Sequence, residues 1–221
     1  MAEAKTAPTG QAEEAVQIFQ RDWQVYQKVL DGDALEHRLL YARVLAEMER
    51  LRAAAGRPLR VLDLGCGDAD YLCRMLKAAC RGAGASELIS CYTGVDLSPA
   101  ALDIARANLA AALPGGAAVD LHVGDMVAFV KAAADAADAA PSGAAGAGVA
   151  ASQSCDSGSG VGGGSGGGGF DVVFSSFALH HLTPDDKAAV TTAAARATAR
   201  APSGGAFLVV DTFRSEGQTR E

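Results

Sequence analysis

The chain has 221 residues, enough for one domain with a substantial core, and 49% of them are apolar. Its net charge of −7 argues against a nucleic acid or an anionic membrane surface as partner, since both require a basic face. No apolar run approaches the ~20 residues that span a bilayer, so a small or neutral substrate fits best.

Residues 1–10, MAEAKTAPTG, carry no apolar signal core and read as a disordered tail. Glu3, Glu13 and Glu14 argue against an organelle transit peptide, so a cytoplasmic location is expected. From about Ala12 to Leu30 the residues Ala15, Phe19, Trp23, Tyr26 and Leu30 recur at helical spacing. Asp31-Gly32-Asp33 breaks that helix. Asp33 is expected to cap a second one, with Glu36 as its capping-box partner and Leu35, Leu39, Val44, Leu45, Met48 and Leu51 on the buried side. Gly56 and Pro58 end it. Residues 11–57 thus predict a helical cap able to lie across the ligand end of a sheet. Trp23, Tyr26, His37 and Arg38 are its candidate lid or substrate residues; plain helix packing or a solvated face is the competing reading of each.

The core is predicted over residues 58–221. Leu59–Leu64 reads as a buried strand running into Gly65-Cys66-Gly67, with a helix from about Asp70 to Cys80. Leu88–Val95 is a second strand with Asp96 at its tip. Ser98 and Pro99 start a helix as N-cap and first helical residue, and that helix runs to about Ala112. Ala118–Val123 is a third strand, followed by Gly124-Asp125-Met126 and a helix over 127–137. Residues 138–169 are almost entirely Ala, Gly and Ser, a composition that cannot offset its own ordering entropy, so they read as a flexible insertion within one domain. Phe170–Ser175 is a fourth strand, and Ser176 to Leu182 reads S-F-A-L-H-H-L. A helix from Thr183-Pro184 to about Arg200 and a fifth strand, Ala206–Val210, closed by Asp211, complete the pattern. Strands alternating with helices specify an α/β fold with a parallel sheet.

The Val61–Ala69 stretch, V-L-D-L-G-C-G-D-A, directs the ligand argument. Glycines at 65 and 67 allow a tight turn and a close ligand approach, and Asp63 lies at the mouth of the sheet where such folds bind ligands. A dinucleotide fingerprint places a third glycine where this chain has Asp70. Asp63, Asp68 and Asp70 would repel a pyrophosphate and attract an ammonium or sulfonium. Asp96 can accept hydrogen bonds from two ribose hydroxyls, a role that also serves NAD. Asp125 can accept from an adenine amine with Met126 packed on the ring, or it can simply cap the next helix. Of the adjacent His180 and His181, one can accept a proton near the reacting group. Neighbouring histidines face different ways and do not make joint metal ligands. The cysteines, Cys66, Cys73, Cys80, Cys91 and Cys155, are odd in number and lack a C-x-x-C, so they read as buried free thiols in a reducing compartment, with no metal.

Five stretches occur together in order: V-L-D-L-G-C-G-D, G-V-D-L-S at Gly94–Ser98, G-D-M at Gly124–Met126, F-D-V-V-F-S-S-F-A-L-H-H-L at Phe170–Leu182, and P-S-G-G-A-F-L-V-V-D ending at Asp211. The region from Arg60 to Asp211 resembles the class I S-adenosylmethionine-dependent methyltransferases. The resemblance implies a three-layer, Rossmann-like doubly wound sheet of strand order 3-2-1-4-5 beneath an N-terminal helical cap, with S-adenosylmethionine as cofactor. It implies that Asp63, Gly65, Cys66 and Gly67 surround the methionine end, that Asp96 holds the ribose, and that Leu97, Asp125 and Met126 meet the adenine. Ser175 and Ser176 would contact the cofactor's amino acid through the main chain, His37 would reach its carboxylate, and Phe177 would face the substrate. The family's sixth and seventh strands have no counterpart here. The expectation is therefore a truncated chain, or an oligomer or partner covering the edge of the fifth strand. Methyl transfer to a small molecule is the leading reading. A non-catalytic cofactor-binding or interaction relative comes second, and an NAD-dependent oxidoreductase third.

Overall fold

The computed structural model describes residues 28, 31–33, 35–79, 87–113, 117–140 and 169–212. The expected tail and the first cap helix apart from Lys28, with Trp23 and Tyr26, lie outside these residues, as do Cys80, Cys155 and most of the Ala/Gly/Ser stretch.

In chain order the elements are α1 (His37–Ala55), β1 (Leu59–Leu64), α2 (Asp70–Ala79), β2 (Ile89–Asp96), α3 (Pro99–Ala112), β3 (Ala118–Val123), α4 (Met126–Ala139), β4 (Val172–Ser176), a short 3-10 turn (Leu179–His181), α5 (Pro184–Thr198) and β5 (Ala206–Val210). The five strands form one parallel sheet in the order β3-β2-β1-β4-β5. The order reverses between β1 and β4. That crevice, at the carboxyl ends of the strands, is where this class of sheet takes its ligands.

Alternation along β1 explains the three layers. Leu59 and Val61 pack with Tyr41, Leu45, Met48 and Leu51 of α1, Leu72 and Leu76 of α2, and Leu102 and Leu109 of α3. Leu62 and Leu64 point the other way, into Val127, Val130 and Ala134 of α4 and Val190, Ala193 and Ala197 of α5. Both faces are covered, so the strand reads as a nearly continuous apolar run. Asp63 is the exception, and its parity with Val61 turns it toward the α1–α3 face.

The opposite end of the sheet is pinned by charge. Asp171, fully buried, accepts both guanidinium nitrogens of Arg57 (2.8 and 2.9 Å) and the Arg60 N–H (2.8 Å). This holds the loop before β1 against the start of β4, away from the ligand crevice. The Ala/Gly/Ser stretch also departs and returns at that end. The Arg200 guanidinium donates to the Ala140 carbonyl, and Phe170 N donates to the Ala197 carbonyl.

Four expectations need correction. The helix expected from Asp33 begins at His37, because Asp33 and Glu36 both adopt left-handed backbone (φ 52° and 55°). No capping box forms; Asp33 accepts from Arg38 N and Nε instead, and Glu36 makes no side-chain cap. Leu35 and Leu39 are exposed rather than buried, and the buried stripe of α1 runs through His37 and Tyr41. Cys91 is in a disulfide, whereas Cys66 and Cys73 are free as expected.

Candidate active site

The site is assembled around the turn that leaves β1. Gly65 and Gly67 take left-handed backbone (φ 73° and 52°), and a methyl group on Gly65 would fall 2.4 Å from Ala178 Cβ. Only glycine fits there, because the loop after β4 presses on the turn. Gly65 N and Cys66 N both donate to the Val95 carbonyl (2.8 and 3.1 Å), Ala69 N donates to Cys66 O, and Asp70 N to the Asp68 carboxylate (3.1 Å). Gly67 N donates to Asp96 Oδ2 at 2.9 Å, and Ser98 N to Asp96 Oδ1 at 2.8 Å. Asp96 therefore bridges the turn and the start of α3. A carboxylate has about four acceptor sites, so after the N–H groups of Gly67, Ser98 and Leu97 it keeps accepting capacity for a ligand donor.

Asp63 lies beneath the same turn. It is buried, and the Tyr92 hydroxyl donates to Oδ2 at 2.6 Å. Burial pushes its carboxyl up to about 7; the Tyr92 hydrogen bond works against that shift and the nearby Asp96 charge adds to it. The Cys66 thiol is raised by burial and by the charges of both Asp63 and Asp96. The charges of Asp63 and Asp96 both act on the Cys66 thiol, so the three groups are neighbours around the turn. The rest of the expected carboxylate cluster is weaker than the sequence suggests. Asp68 is pushed up to about 6, chiefly by burial. Asp70 pairs with Arg74 at 2.7 Å, and Arg74 also reaches Asp31 at 2.7 Å.

α1 packs onto the rest of the domain through aromatic contacts. His37 is completely buried between Tyr71 and Phe177, with ring centroids 5.2 and 4.6 Å away. Neither ring nitrogen has a hydrogen-bond partner among the described residues. Burial holds its imidazole below the ordinary histidine range, with the Asp33 charge opposing. A neutral imidazole carries one N–H, and that orphaned donor fits a ligand acceptor group such as a carboxylate. Arg38 does not join them: its side chain is 72% exposed and pairs with Asp33. The Tyr41 hydroxyl donates to Ser176 Oγ at 2.7 Å, anchoring α1 on the end of β4. Ser175 Oγ donates to the Leu64 carbonyl at 2.9 Å, so that side chain ties β4 to β1. Phe177 follows with left-handed backbone (φ 50°), its N–H held by the Val210 carbonyl.

On the β3 side, Asp125 caps α4 by accepting from Ala128 N at 2.8 Å and is exposed. The Met126 methyl lies 3.4 Å from where a Gly65 side chain would begin, so it reaches the crevice. Leu97, half-buried, follows Asp96 directly. On the β5 side, the His180 and His181 rings do not face different ways as expected but lie against each other, centroids 4.0 Å apart and planes tilted by 42°. Asp211 Oδ1 lies 2.8 Å from His180 Nδ1 and its Oδ2 accepts the His180 N–H at 2.9 Å.

The profile of the family described as "Methyltransferase domain" matches residues 62–205, well over half of the chain. The chain belongs to this family. The match begins inside β1 and ends just before β5, so it takes in the glycine turn, Asp96, Asp125 and the histidine pair. No curated protein matches the sequence. Among solved structures, it is similar to magnesium protoporphyrin IX methyltransferase from Synechocystis PCC 6803 with bound SAM, at 14% identity and TM-score 0.49, over 87% of this chain and 74% of that one. It is also similar to the DhpI-SAM-HEP complex, at 20% identity and TM-score 0.49, over 96% and 70%. A third is CalS10, an amino pentose methyltransferase from Micromonospora echinaspora, at 23% identity and TM-score 0.40, over 76% and 51%.

Within this methyltransferase domain, three contributors escaped the sequence reading. Tyr92 stands two residues before Gly94, the register partner of Asp63, and so on the same sheet face. Tyr41 lies four residues after His37 on the same helical face. Tyr71 opens α2 beside the turn. Tyr92 and Tyr41 are thus in phase with Asp63 and His37, whereas Tyr71 is marked only by its place beside the turn. Among the described residues, no helix is long and apolar enough to cross a membrane.

Proposed function

We propose that the chain binds S-adenosylmethionine at the tips of β1, β2 and β3 and transfers its methyl group to a small-molecule acceptor held on the β4–β5 side. One observation carries this reading: Asp96, at the tip of β2, is bonded to Gly67 N in the turn that leaves β1, and the charge of Asp96 acts on buried Asp63 beside it. The same geometry disfavours a dinucleotide. The N–H groups of Gly65, Cys66, Gly67, Ala69 and Asp70 are all engaged within the protein, leaving none of these free to cradle a phosphate.

When bound, the cofactor supplies a methyl group already activated by its sulfonium, and the protein contributes alignment and exclusion of water. The residues divide the remaining work. Asp96 accepts ribose hydroxyls with its remaining lone pairs. Leu97 and Met126 pack on the adenine, and the second Asp125 oxygen accepts from its amine. Asp63 offers negative charge to the sulfonium and ammonium end. His37 donates an N–H to the cofactor carboxylate, and the main chain of Ser175 and Ser176 lines the same end. Tyr41, Tyr71 and Phe177 close an aromatic wall that admits a partly apolar acceptor. His180 or His181 takes a proton from an acceptor that still carries one.

The test is incubation of the purified chain and methyl-labelled S-adenosylmethionine with a metabolite extract, followed by mass spectrometry. A labelled small molecule formed only in the presence of the protein is expected. Absence of label in the metabolites, or label only on macromolecules, would overturn the reading.

A further inference from the structure

We infer that Asp211 is a positioning residue that selects His180 as the proton acceptor and leaves Nε2 as its basic atom. The methyl acceptor is then a group that still carries its proton at neutral pH, with an alcohol or phenol the class to test first, and not a carboxylate. This rests on the methyl-transfer reading above.

The inference comes from the way Asp211 is held. It follows β5, and its side chain is 2% exposed. It receives three donors: the His180 N–H at 2.9 Å, the Thr212 N–H at 2.7 Å, and His180 Nδ1 at 2.8 Å. Desolvation opposes its ionisation, yet the hydrogen bonds from His180 and Thr212 hold the carboxyl below its ordinary range. An ionised carboxylate can only accept, so the proton between it and the ring belongs to Nδ1. Nε2 then carries the lone pair. Backbone and ring of one residue gripped by one carboxylate also fix the imidazole plane. His180 remains 37% exposed at its side chain, so its far edge stays accessible. Among the described residues no hydrogen bond or ion pair joins His181 to a carboxylate; the Asp211 charge acts on it only from a distance, and its ring lies tilted against that of His180.

Position supports the assignment. The residues suited to the ribose and adenine follow β1, β2 and β3, and Ser175 and Ser176 of β4 reach only the amino-acid end, whereas His180 and Asp211 lie beyond the ends of β4 and β5. As the acceptor oxygen bonds to the methyl carbon, its proton passes to His180 Nε2. The electron pair of the broken S–C bond stays on sulfur, and Asp211 offsets the imidazolium charge. A carboxylate acceptor has no proton to give at neutral pH and needs no such base.

The test uses the full chain with 15N-labelled histidine rings. Long-range 1H–15N spectra of the wild type should show His180 with hydrogen on Nδ1 and an unprotonated Nε2. In Asp211→Asn the Nε2–H tautomer should become the major form, and Asp211→Glu should restore the original one. S-adenosylmethionine titration of Asp211→Asn should stay within about twofold of wild type, while turnover falls by about a hundredfold or more, the scale of a lost general base, with little change in acceptor KM. Label from the cofactor should enter the alcohol and phenol fraction of an extract. An Nε2–H tautomer in the wild type, a tautomer unmoved in Asp211→Asn, or label confined to carboxyl esters would overturn the proposal. Failure of the methyl-transfer reading shows separately, as wild-type protein that does not bind S-adenosylmethionine.

Discussion

Asp63→Asn is predicted to stabilise the fold, and by an amount that depends on pH. Asparagine keeps the shape and can still accept from the Tyr92 hydroxyl, but it has no charge to bury. In the wild type the carboxyl rises from 3.8 to about 7 on folding. Between those values the native state binds a proton that the unfolded state has released, so stability falls as pH rises from about 4 and levels off above about 7. At 1.36 kcal/mol per unit, the wild-type penalty is about 1.5 kcal/mol at pH 5 and about 4 kcal/mol at pH 8. The advantage of Asp63→Asn over wild type should therefore widen by about 2–3 kcal/mol between those two pH values. Packing differences between the side chains cancel in that comparison. Urea unfolding of both proteins at pH 5 and pH 8 measures it. A gap that stays constant across the range would refute the claim that this carboxylate is buried at an energetic cost.

The remaining predictions address the ligand and the frame that holds it. S-adenosylmethionine affinity should rise about tenfold from pH 6 to pH 8, because a cation favours ionised Asp63, and calorimetry at pH 6 in buffers of different ionisation enthalpy should detect proton release. A pH-independent affinity would contradict it. Gly65→Ala should lower the melting temperature and weaken cofactor binding at least tenfold, since left-handed backbone costs ~1–2 kcal/mol and the new methyl meets Ala178; wild-type behaviour by thermal melt and titration would count against the turn. Arg57→Ala should cost about 2–3 kcal/mol in urea melts, below the ~3–5 of a fully buried pair because Arg57 is 41% exposed and Arg60 N–H still serves Asp171. Cofactor affinity should not change in that variant, because the pair lies at the other end of the sheet.

The strands were legible because physics writes them plainly. β1, β3 and β5 carry the bounds read from apolar runs, and the Ser98-Pro99 start of α3 follows from its cap, Ser98 Oγ accepting from Ala101 N. The start of α1 was not legible. Leu35 and Leu39 made the stronger hydrophobic stripe, but contacts from Tyr71 and Phe177 selected the His37–Tyr41 face instead, a tertiary choice that no local pattern records. The acidic cluster was visible as residues and not as charges. Counting carboxylates could not show that Arg74 neutralises Asp70, or that burial leaves Asp63 and Asp68 partly protonated near neutral pH. Spacing likewise could not join Cys91 to a disulfide, nor Asp211 to a histidine 31 positions earlier.

The most direct test of the cofactor site is calorimetric titration of the wild type and Asp96→Ala with S-adenosylmethionine and with NAD. The wild type should bind S-adenosylmethionine saturably and NAD not at all. Asp96→Ala should lose about 2–4 kcal/mol of that affinity, roughly 30- to 1,000-fold, for two hydrogen bonds to a charged acceptor. NAD binding as tight as that of S-adenosylmethionine, or an Asp96→Ala variant that binds S-adenosylmethionine as well as the wild type, would contradict the account.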